Sequence, residues 1–494
     1  MTLLQPELLR ELAEAFDDGV AWRNVTDGTD LTLGEWHRRS NRLARGLLER
    51  GVAKGDRVGL CIGNDEPHEW LVAYMGIHKA GAVAVPLLAR LGGTELARVL
   101  RYAGVCLVFG GDIPGTVRAA GLPVVSTTEP GWVGIFSADD SDPSVTLGAE
   151  DVADIMYTSG TTGEPRGVVV RHGGLSTVDR VASAWLGLGF LSASPFATTS
   201  GSLIVCGPLR GGLSGWFLPR FDPDAWIDVA ARERPVAAFL VPAMVELIVG
   251  RPRFATADLS SLAVVNIGSA PIAAATLRRF GAGLGGAEVL CGYGMTEFGA
   301  ATATPMGDRG QHLGSVGLPL PGVEIRIVGP NGGALPSNQV GQVAIRGERG
   351  PRAYLGDDDG TRRTWVDGWL LSGDLGRLDD DGHLWIVGRQ KEIVIRGGHN
   401  VAPGEVEAAL FEHPAVAEAA VAGIPHPVLG EEVAAWVVLR EDVETEELRS
   451  FVSERLADYK VPRTISVVDA LPRNESGKVL KSILVRGTEP RSAP

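Results

Sequence analysis

A loop rich in hydroxyl groups and glycines follows a short apolar run, Val152 to Met156. In chain order it contains Thr158, Ser159, Gly160, Thr161, Thr162 and Gly163, with Arg166 three residues further on. Glycines let successive backbone N–H groups converge on an anion, and small hydroxyl side chains add donors without bulk. No Gly-Lys-Ser/Thr follows, so this is not a Walker A motif. The pattern predicts a phosphate-binding loop rather than a solvent loop.

Two further charged residues stand in settings suited to chemistry. Glu297 follows a hydroxyl residue, Thr296, and a carboxylate there suits a hard Mg²⁺ ion that bridges phosphate oxygens. Lys478 is one of only six lysines among 46 basic residues, and it directly follows the segment Asn474-Glu-Ser-Gly477. A solvent lysine on a turn is the alternative for Lys478.

A literal GxGxxG match spans residues 281–286. It follows a helical run from Ala273 to Phe280 and precedes a strand pattern from Ala287 to Leu290. A dinucleotide-binding fingerprint needs the strand first and the helix second. We therefore predict a loop from helix to strand here and exclude an NAD site.

Five segments in this chain order resemble the motifs of the adenylate-forming superfamily, which includes acyl- and aryl-CoA synthetases, luciferases and stand-alone adenylation domains. They are the hydroxyl loop, Gly292-Tyr-Gly-Met-Thr-Glu297, Ser372-Gly-Asp-Leu375, Gly388-Arg-Gln-Lys-Glu-Ile393 and Pro472-Arg-Asn-Glu-Ser-Gly-Lys478. The resemblance covers nearly the whole chain. It implies an ATP-dependent acyl-CoA ligase that forms an acyl-adenylate, releases pyrophosphate and transfers the acyl group to CoA.

The resemblance also implies a role for each motif residue. The hydroxyl loop and Arg166 are expected to contact the phosphates, and Asp374 and Arg389 the ribose. One face of the adenine is expected to lie against Ser269, Ala270 and Pro271. The other face is expected to lie against Gly292, Tyr293, Gly294, Met295 and Thr296. Alone, Asp374 could equally form a turn and Arg389 could be a surface cation. The expected catalytic residues are Glu297, which would hold Mg²⁺, Arg389 and Lys478. An ammonium on a flexible stem can reach between a carboxylate and the α-phosphate as negative charge develops there.

Two features near residue 390 resemble the parts of the family that change position between half-reactions. Lys391 occupies the family's hinge position, two residues after the ribose-binding arginine. Gly397 and Gly398 resemble the glycine loop that lines the tunnel for the thiol arm of CoA. A tight turn between strand and helix is the alternative interpretation for these glycines.

The sequence departs from the family pattern in two segments. The phosphate loop carries Arg166 where a lysine is usual, and Ala197 replaces the histidine of a Phe-His pair. Amino-acid-activating relatives have an aspartate at the latter position, so Ala197 argues against an amino-acid substrate. The expected pocket residues are Phe196, Ala197, Thr198, Gly201 and Gly268. Small, uncharged side chains predict a bulky, mainly apolar monocarboxylic acid.

Other functions remain open at this point. The chain could catalyse one half of the sequence, either as a CoA ligase using a preformed acyl-adenylate or as an acyl-AMP ligase that loads a separate carrier protein. We expect the acceptor to be CoA or such a carrier, since no carrier segment follows Lys478. A non-catalytic nucleotide-binding protein is less compatible with the retained Lys478, Glu297 and Asp374.

The elements that must position these residues alternate between short apolar strands and helices. Strand Arg57 to Asn64, helix Glu66 to Ala80 and strand Ala82 to Leu87 predict parallel α/β sheets. After Gly314 short alternating strands predict a small β-rich subdomain. Beyond Arg389 an α+β pattern begins. We expect a large N-terminal domain, residues 1–388, and a small mobile α+β domain, residues 389–494.

Composition limits the setting of this chain. The 494 residues are 45% hydrophobic and carry a net charge of −14, which disfavours nucleic-acid binding. The N-terminal segment predicts an amphipathic helix rather than a signal peptide, and no apolar run reaches the about 20 residues of a membrane span. Four scattered cysteines predict buried, reduced thiols. We expect a cytoplasmic protein, and the oligomeric state, a homodimer included, stays open.

Overall fold

The computed structural model describes residues 3–158, 166–175, 184–348, 350–473 and 479–488. The α-helices in these ranges are α1 (Gln5–Ala15), α2 (Leu33–Glu49), α3 (Pro67–Lys79), α4 (Gly93–Ala103), α5 (Gly115–Ala119), α6 (Pro130–Ile135), α7 (His172–Leu175), α8 (Thr199–Arg210), α9 (Pro223–Glu233), α10 (Pro242–Val249), α11 (Ala274–Gly283), α12 (Asp358–Thr364), α13 (Pro403–Phe411), α14 (Thr445–Ser453) and α15 (Lys481–Thr488).

The strands belong to four sheets. In chain order they are β1 (Val20–Asn24), β2 (Asp30–Thr32), β3 (Arg57–Cys61), β4 (Val83–Pro86), β5 (Leu107–Gly110), β6 (Val124–Ser126), β7 (Val152–Thr158), β8 (Arg166–Arg171), β9 (Gly189–Ser192), β10 (Ser214–Phe217), β11 (Ala237–Leu240), β12 (Val264–Ile267), β13 (Glu288–Met295), β14 (Gly299–Ala303), β15 (Leu318–Pro319), β16 (Val323–Val328), β17 (Gly341–Gly347), β18 (Trp365–Val366), β19 (Trp369–Leu378), β20 (Leu384–Arg389), β21 (Val394–Arg396), β22 (His399–Val401), β23 (Val416–His426), β24 (Gly430–Leu439) and β25 (Thr464–Val467).

Two large sheets form the N-terminal part of the chain. One has the order β6-β5-β3-β4-β7-β8 and is parallel except for β8, which returns antiparallel to β7. The other has the order β15-β14-β13-β12-β11-β9-β10-β1-β2, with a parallel centre and antiparallel strands at both edges. The predicted parallel α/β organisation is confirmed. Strand β7 ends at Thr158, where the hydroxyl loop begins, and β13 contains the first four residues of the Gly292 to Glu297 motif.

Helix α3 joins these two sheets. It contacts β1 of the nine-stranded sheet and β3 and β4 of the six-stranded sheet, and nearly all its residues are buried. A helix that is apolar on all sides belongs between layers. Its Tyr74 hydroxyl donates to buried Asp154 Oδ2 at 2.9 Å, and His78 Nε2 lies 3.0 Å from Oδ1 of the same carboxylate. These contacts anchor β7, the strand that precedes the hydroxyl loop.

Two smaller sheets follow. The third contains β16-β17-β19-β18 with β20 on β19, all antiparallel, and is the predicted β-rich subdomain. The fourth contains β22-β21-β24-β23 with β25 parallel to β24. Helices α13 and α14 bury Val406, Leu410, Leu448 and Val452 against it. The third sheet ends at Arg389 and the fourth begins at Val394.

Several expected boundaries move in the structure. The strand predicted to reach Asn64 ends at Cys61, and the strand predicted to end at Leu290 continues to Met295 because β14 pairs with its last four residues. The 281–286 segment does connect helix α11 to strand β13, as predicted. Cys106 is exposed, so the expectation that all four thiols are buried is wrong for this one. Within the described ranges, every helix is too short or too polar to cross a bilayer.

Candidate active site

Three residues predicted to bind the nucleotide lie together: Tyr293, Asp374 and Arg389. They meet at the carboxylate of Asp374, and we call them the Asp374 cluster. The Tyr293 hydroxyl donates to Asp374 Oδ2 at 2.6 Å, and Arg389 Nε lies 3.0 Å from Oδ1. Asp374 and Arg389 face each other directly across β19 and β20. Side-chain exposure is 8% for Asp374 and 44% for Arg389, so the acid lies inside and the cation faces solvent.

The backbone around Asp374 fixes its direction. Gly373 has φ +74°, a left-handed conformation that glycine adopts without strain. The Ser372 hydroxyl donates to Val343 O at 2.7 Å and accepts from the Asp374 N–H at 3.1 Å. Burial, and then the neighbouring Asp374 charge, raise the pKa of Tyr293 well above its usual value. Tyr293 therefore stays a neutral donor to the carboxylate.

Glu297 lies in the turn between β13 and β14. The Tyr354 hydroxyl donates to Glu297 Oε1 at 2.9 Å, and the Arg166 guanidinium lies 5.3 Å from the centre of the Tyr354 ring. Burial, reinforced by the Glu297 charge, raises the pKa of Tyr354 to about 12. Gly294 is required below this turn, because a Cβ there would lie 2.4 Å from Gly299 O. Arg166, Tyr354 and Glu297 form a second group, the Glu297 group.

Arg352 supports this turn and was missed from the sequence. It is only 8% exposed. Its Nη1 donates to Thr296 O at 2.8 Å and its Nη2 to Gly174 O at 2.9 Å. A guanidinium can satisfy two carbonyls at once because its donors form a rigid fork. In the sequence, Arg352 and Tyr354 stand in a Gly/Pro-rich segment after β17. Their spacing is not distinctive, so the sequence does not indicate that Arg352 supports the site.

The predicted acyl segment reaches the same turn. Thr198 caps α8 by accepting from the Gly201 N–H at 3.0 Å, and the hydroxyls of Thr199 and Thr296 are 2.7 Å apart. Gly201 is needed for close packing, since a Cβ there would lie 2.0 Å from Pro195 O. The amino end of α8 carries partial positive charge, which favours an anionic group beside Thr296.

Phe196, one of the expected pocket residues, lies among aromatic rings of the core. It is fully buried, stacked on Phe217 at 4.3 Å between ring centres and packed against Trp22 and Trp70, each at 5.0 Å. Phe196 thus anchors the start of α8 in the core, and its assignment to the acyl pocket stays a prediction. Its neighbours Ala197 and Thr198 are partly exposed.

The predicted adenine segment and the β13 motif line one cavity. Ala270, Pro271 and Gly292 share its wall with Gly314 to Val316 and Ile386. Ser269 has φ +76°, an uncommon conformation for a residue with a side chain. Gly268, at the end of β12, packs near Gly292 O and Phe239. The cavity is lined by residues of both the nine-stranded sheet and the third sheet.

The predicted hinge and glycine loop lie in and before the fourth sheet. Lys391 is exposed in a single helical turn, Gln390–Glu392, that links β20 to β21. Gly397 and Gly398, with φ +55° and +85°, form the two-residue turn between β21 and β22. Both positive φ values match a type I′ hairpin turn. The Gly397 N–H donates to Leu429 O at 2.9 Å.

Six predicted site residues lie outside the described residues: Ser159, Gly160, Thr161, Thr162, Gly163 and Lys478. Their flanking residues are paired. Thr158 faces Arg166 across β7 and β8. Arg473 and Val479 form an isolated bridge, and Arg473 Nη2 donates to Glu418 Oε2 at 2.7 Å.

The residues of the Glu297 group fit the Mg²⁺ ion that the resemblance implies. Mg²⁺ prefers oxygen ligands and is commonly held by one or two carboxylates together with phosphate oxygens and water. Tyr354 occupies Oε1 of Glu297 and orients the carboxylate, which leaves Oε2 for a cation. The side chain is partly exposed, so water can complete the ligand shell.

Comparison with known proteins gives matches along most of the chain. A family model described as AMP-binding enzyme matches residues 9–355, and a model described as AMP-binding enzyme C-terminal domain matches residues 405–478. A feruloyl-CoA synthase of Amycolatopsis sp is 36% identical over 467 residues, covering 92% of this chain and 93% of the relative.

Two further matches cover almost the full length. A long-chain-fatty-acid–CoA ligase of Mycobacterium tuberculosis is 31% identical, with 97% of both chains covered. The crystal structure of ATP-bound MatB from Rhodopseudomonas palustris aligns with a TM-score of 0.87 at 31% identity, covering 99% of each chain.

Proposed function

The chain belongs to the family of AMP-binding, adenylate-forming enzymes, and we propose that it acts as an ATP-dependent acyl-CoA ligase on a bulky, mainly apolar carboxylic acid. It is an acid–thiol ligase of the AMP-forming class. ATP and CoA are its co-substrates, and Mg²⁺ is the metal ion that we assign to Glu297. Membership in this family was the expectation drawn from the five sequence motifs.

One observation carries the proposal: the Thr296–Glu297 turn contacts both the nucleotide side and the acyl side of the site. Glu297 accepts from Tyr354, which packs against Arg166, while Thr296 meets Thr199 at the amino end of α8. A carboxylate near α8 and a phosphate near Arg166 would therefore be neighbours. Such proximity is what an in-line attack of a carboxylate on the α-phosphate requires.

The described residues suggest a division of labour in the first half-reaction. Asp374 accepts hydrogen bonds from the ribose hydroxyls, with Tyr293 and Arg389 holding the carboxylate in place. Arg166 neutralises phosphate charge. Bound at Glu297, Mg²⁺ would stabilise negative charge on the phosphate oxygens. The substrate carboxylate then forms a bond to the α-phosphorus as the bond to pyrophosphate breaks, which leaves an acyl-adenylate.

The second half-reaction needs a different arrangement. The thiol sulfur of CoA attacks the acyl carbon, the bond to AMP breaks and the thiol proton leaves with a base or water. We propose residues 1–388 as the large domain, residues 389–494 as the small domain, and Lys391 as the hinge between them. Gly397 and Gly398 would then lie beside the thiol arm, because a turn without side chains lets a thin chain pass.

The substrate class rests on the neutral character of the α8 segment. Ala197, Thr198 and Gly201 offer neither a carboxylate for an α-ammonium group nor a cation for a second carboxylate. An apolar monocarboxylic acid fits best. Because ATP and CoA are intracellular metabolites, we place the protein in the cytoplasm.

A panel of carboxylic acids tests the function. Purified protein is incubated with ATP, Mg²⁺ and CoA, and acyl-CoA and AMP are quantified by mass spectrometry. We expect aromatic or long aliphatic monocarboxylates to give both products, and amino acids and dicarboxylates to give neither. A matched set containing a free carrier protein in place of CoA identifies the acceptor. Absence of AMP with every acid would refute the proposal.

We predict that Lys478→Ala abolishes acyl-adenylate formation but preserves thioester formation from a supplied acyl-adenylate. The ammonium stabilises charge at the α-phosphate only in the first step. Each half-reaction is measured separately, with Lys481→Ala as the control for loss of a nearby lysine. Equal losses in both half-reactions would contradict this role.

We predict the opposite pattern for Lys391→Pro. Proline fixes φ near −65° and removes an N–H, so rotation of the backbone at this residue is restricted. Adenylate formation should stay within about 3-fold of the wild type, while thioester formation should fall by about 100-fold, or about 2.7 kcal/mol. Lys391→Ala, which keeps a free backbone, is the matched control. A proline variant that makes acyl-CoA at the wild-type rate would show that Lys391 is not the hinge.

A further inference from the structure

A second group of potential metal ligands lies outside the Glu297 group. A carboxylate oxygen of Asp308 and one ring nitrogen each of His312 and His383 lie within 4.8 Å of one another. His312 and His383 are separated by 71 positions in the sequence. Their rings stack with centres 3.6 Å apart and planes at 16°. Imidazole and carboxylate together are typical ligands of transition metals.

These side chains are largely withdrawn from solvent. Side-chain exposure is 6% for Asp308, 25% for His312 and 7% for His383. Nδ1 of His383 is buried and has no hydrogen-bond partner among the described residues. A buried polar nitrogen without a partner is costly, so its presence calls for an explanation. Asp379 Oδ1 lies 3.6 Å from this nitrogen, and a metal ion on Nε2 of His383 would strengthen the attraction of the Nδ1–H group to that carboxylate.

Rigid local structure sets the position of each ligand. Asp379 accepts from the backbone N–H of His383 at 2.8 Å and from Trp385 Nε1 at 2.8 Å, which fixes the turn between β19 and β20. Asp308 starts a turn in which its Oδ2 accepts from the His312 N–H at 3.3 Å. The two histidines therefore meet through backbone geometry and not through flexible side chains alone.

Two further carboxylates border the group. Asp379 Oδ1 lies 3.6 Å from His383 Nδ1, and Asp381 Oδ2 lies 3.8 Å from His312 Nε2. Histidines that bind metals usually direct their second ring nitrogen to a carboxylate, which fixes the ring orientation. Asp379 is placed for that role. Asp381 is 79% exposed and could approach as a fourth ligand, or water could take that position.

We propose that Asp308, His312 and His383 bind a divalent transition metal ion, with zinc the best match. Zinc takes nitrogen and oxygen ligands at about 2.0–2.2 Å in tetrahedral geometry, so its ligand atoms stand about 3.4 Å apart. The three atoms lie within 4.8 Å, and Asp308 Oδ1 is 2.6 Å from His312 Nδ1. The two rings are stacked, so binding requires the less buried His312 side chain to rotate out of the stack until one nitrogen of each ring faces the same ion. Two imidazoles disfavour Mg²⁺, which distinguishes this site from Glu297.

The metal would connect two segments that border the cavity shared by Ala270 and Gly292. Gly314, Ser315 and Val316 follow His312 by a few residues and line that cavity. The Ser315 hydroxyl and the Val316 N–H both donate to Leu384 O, at 3.0 and 2.8 Å. A metal ion at His312 and His383 would add a stronger link between the same loop and β20. We infer a structural metal that stiffens this wall of the cavity.

Metal binding is tested on the full-length protein after chelator treatment and removal of the chelator. Zinc alone is the probe in equilibrium dialysis with elemental analysis, and Co²⁺ absorption reports the coordination geometry. The background carries Cys106→Ser, because this exposed thiol could bind zinc independently. We expect a single zinc ion per chain and a Co²⁺ spectrum typical of tetrahedral nitrogen and oxygen ligands. Failure to retain zinc would overturn the proposal whether or not the enzyme makes acyl-CoA.

Variants identify the ligands. His312→Gln, His383→Gln and Asp308→Asn should each weaken zinc binding by at least about 100-fold. His399→Gln, which removes an exposed histidine of the fourth sheet, should leave zinc affinity unchanged. Circular dichroism checks folding, and the more exposed His312→Gln remains informative if the buried His383→Gln variant misfolds. Undiminished zinc binding in a folded His312→Gln variant would refute the assignment.

Discussion

The proposed nucleotide side and the proposed acyl side of the candidate site are held in place by different forces. On the nucleotide side, Asp374 and Glu297 each have short contacts to named donors, at 2.6 Å from Tyr293 and 2.9 Å from Tyr354. On the acyl side, Phe196 is fixed by packing against aromatic rings, and Thr199 is the residue that contacts the nucleotide side directly.

This difference has a consequence for how each side tolerates change. Hydrogen bonds to a partly buried carboxylate depend on distance and angle, so removing one partner has a defined cost. Packing around a small residue depends on volume, and several side chains can fill the same space. We therefore expect substitutions on the nucleotide side to affect every acid substrate alike. Substitutions on the acyl side should change the order of preference among acids.

The largest effect is expected for Asp374→Ala. The change removes the proposed ribose acceptor and leaves both Tyr293 and Arg389 without their shared partner. We expect kcat/KM for ATP to fall by about 300-fold or more, which is about 3.4 kcal/mol. Steady-state pyrophosphate release measures it, with Asp380→Ala as the control, because Asp380 is an exposed acid in the following turn. A loss that varies with the acid substrate would break the proposed division between the two sides.

An intermediate effect is expected for Ala197→Phe. The larger ring would fill space beside Thr198 while leaving the nucleotide contacts intact. We expect kcat/KM for the bulkiest accepted acid to fall by about 30-fold relative to that for a small acid, and KM for ATP to stay within about 2-fold. Ala197→Ser is the control of similar size. Uniform loss across all acids would indicate that this residue does not border the acyl group.

The smallest effect is expected for Tyr293→Phe. The variant keeps the ring and removes the 2.6 Å hydrogen bond to Asp374. Since a hydrogen bond to a charged group contributes about 1.5–3 kcal/mol, we expect KM for ATP to rise by about 10-fold with little change in kcat. Tyr354→Phe is the matched comparison, and it should raise the Mg²⁺ concentration needed for half-maximal activity instead. Identical responses of the two variants would mean that their hydroxyls do not serve separate groups.

The features predicted best from the sequence are those that depend on residues close to one another in the chain. Helix α3 differs by one residue at each end from the predicted Glu66 to Ala80, and strand β4 differs by one residue at each end from the predicted Ala82 to Leu87. The GxGxxG match could be dismissed because its flanking elements have the wrong order. Local periodicity and turn residues were sufficient in each case.

Features that depend on distant contacts could not be predicted. The packing of Phe196 against Trp22 and Trp70 is an example, because both tryptophans are far away in the sequence. The role of Arg352 depends on two backbone carbonyls, one of them 178 positions away. Neither periodicity nor composition carries information about such partners.

In the proposed mechanism, the pairing of Asp374 with Arg389 would also link nucleotide affinity to the orientation of the fourth sheet. Arg389 is the last residue of β20, and the Gln390–Glu392 turn that leads to the fourth sheet follows immediately. Any rotation in that turn begins next to a residue whose side chain is bound to Asp374. If ATP binds with different affinity in two orientations of the fourth sheet, a ligand that stabilises one of them alters ATP affinity, and by thermodynamic reciprocity ATP alters that ligand's affinity by the same factor. Measured ATP affinity would then report the population of each orientation.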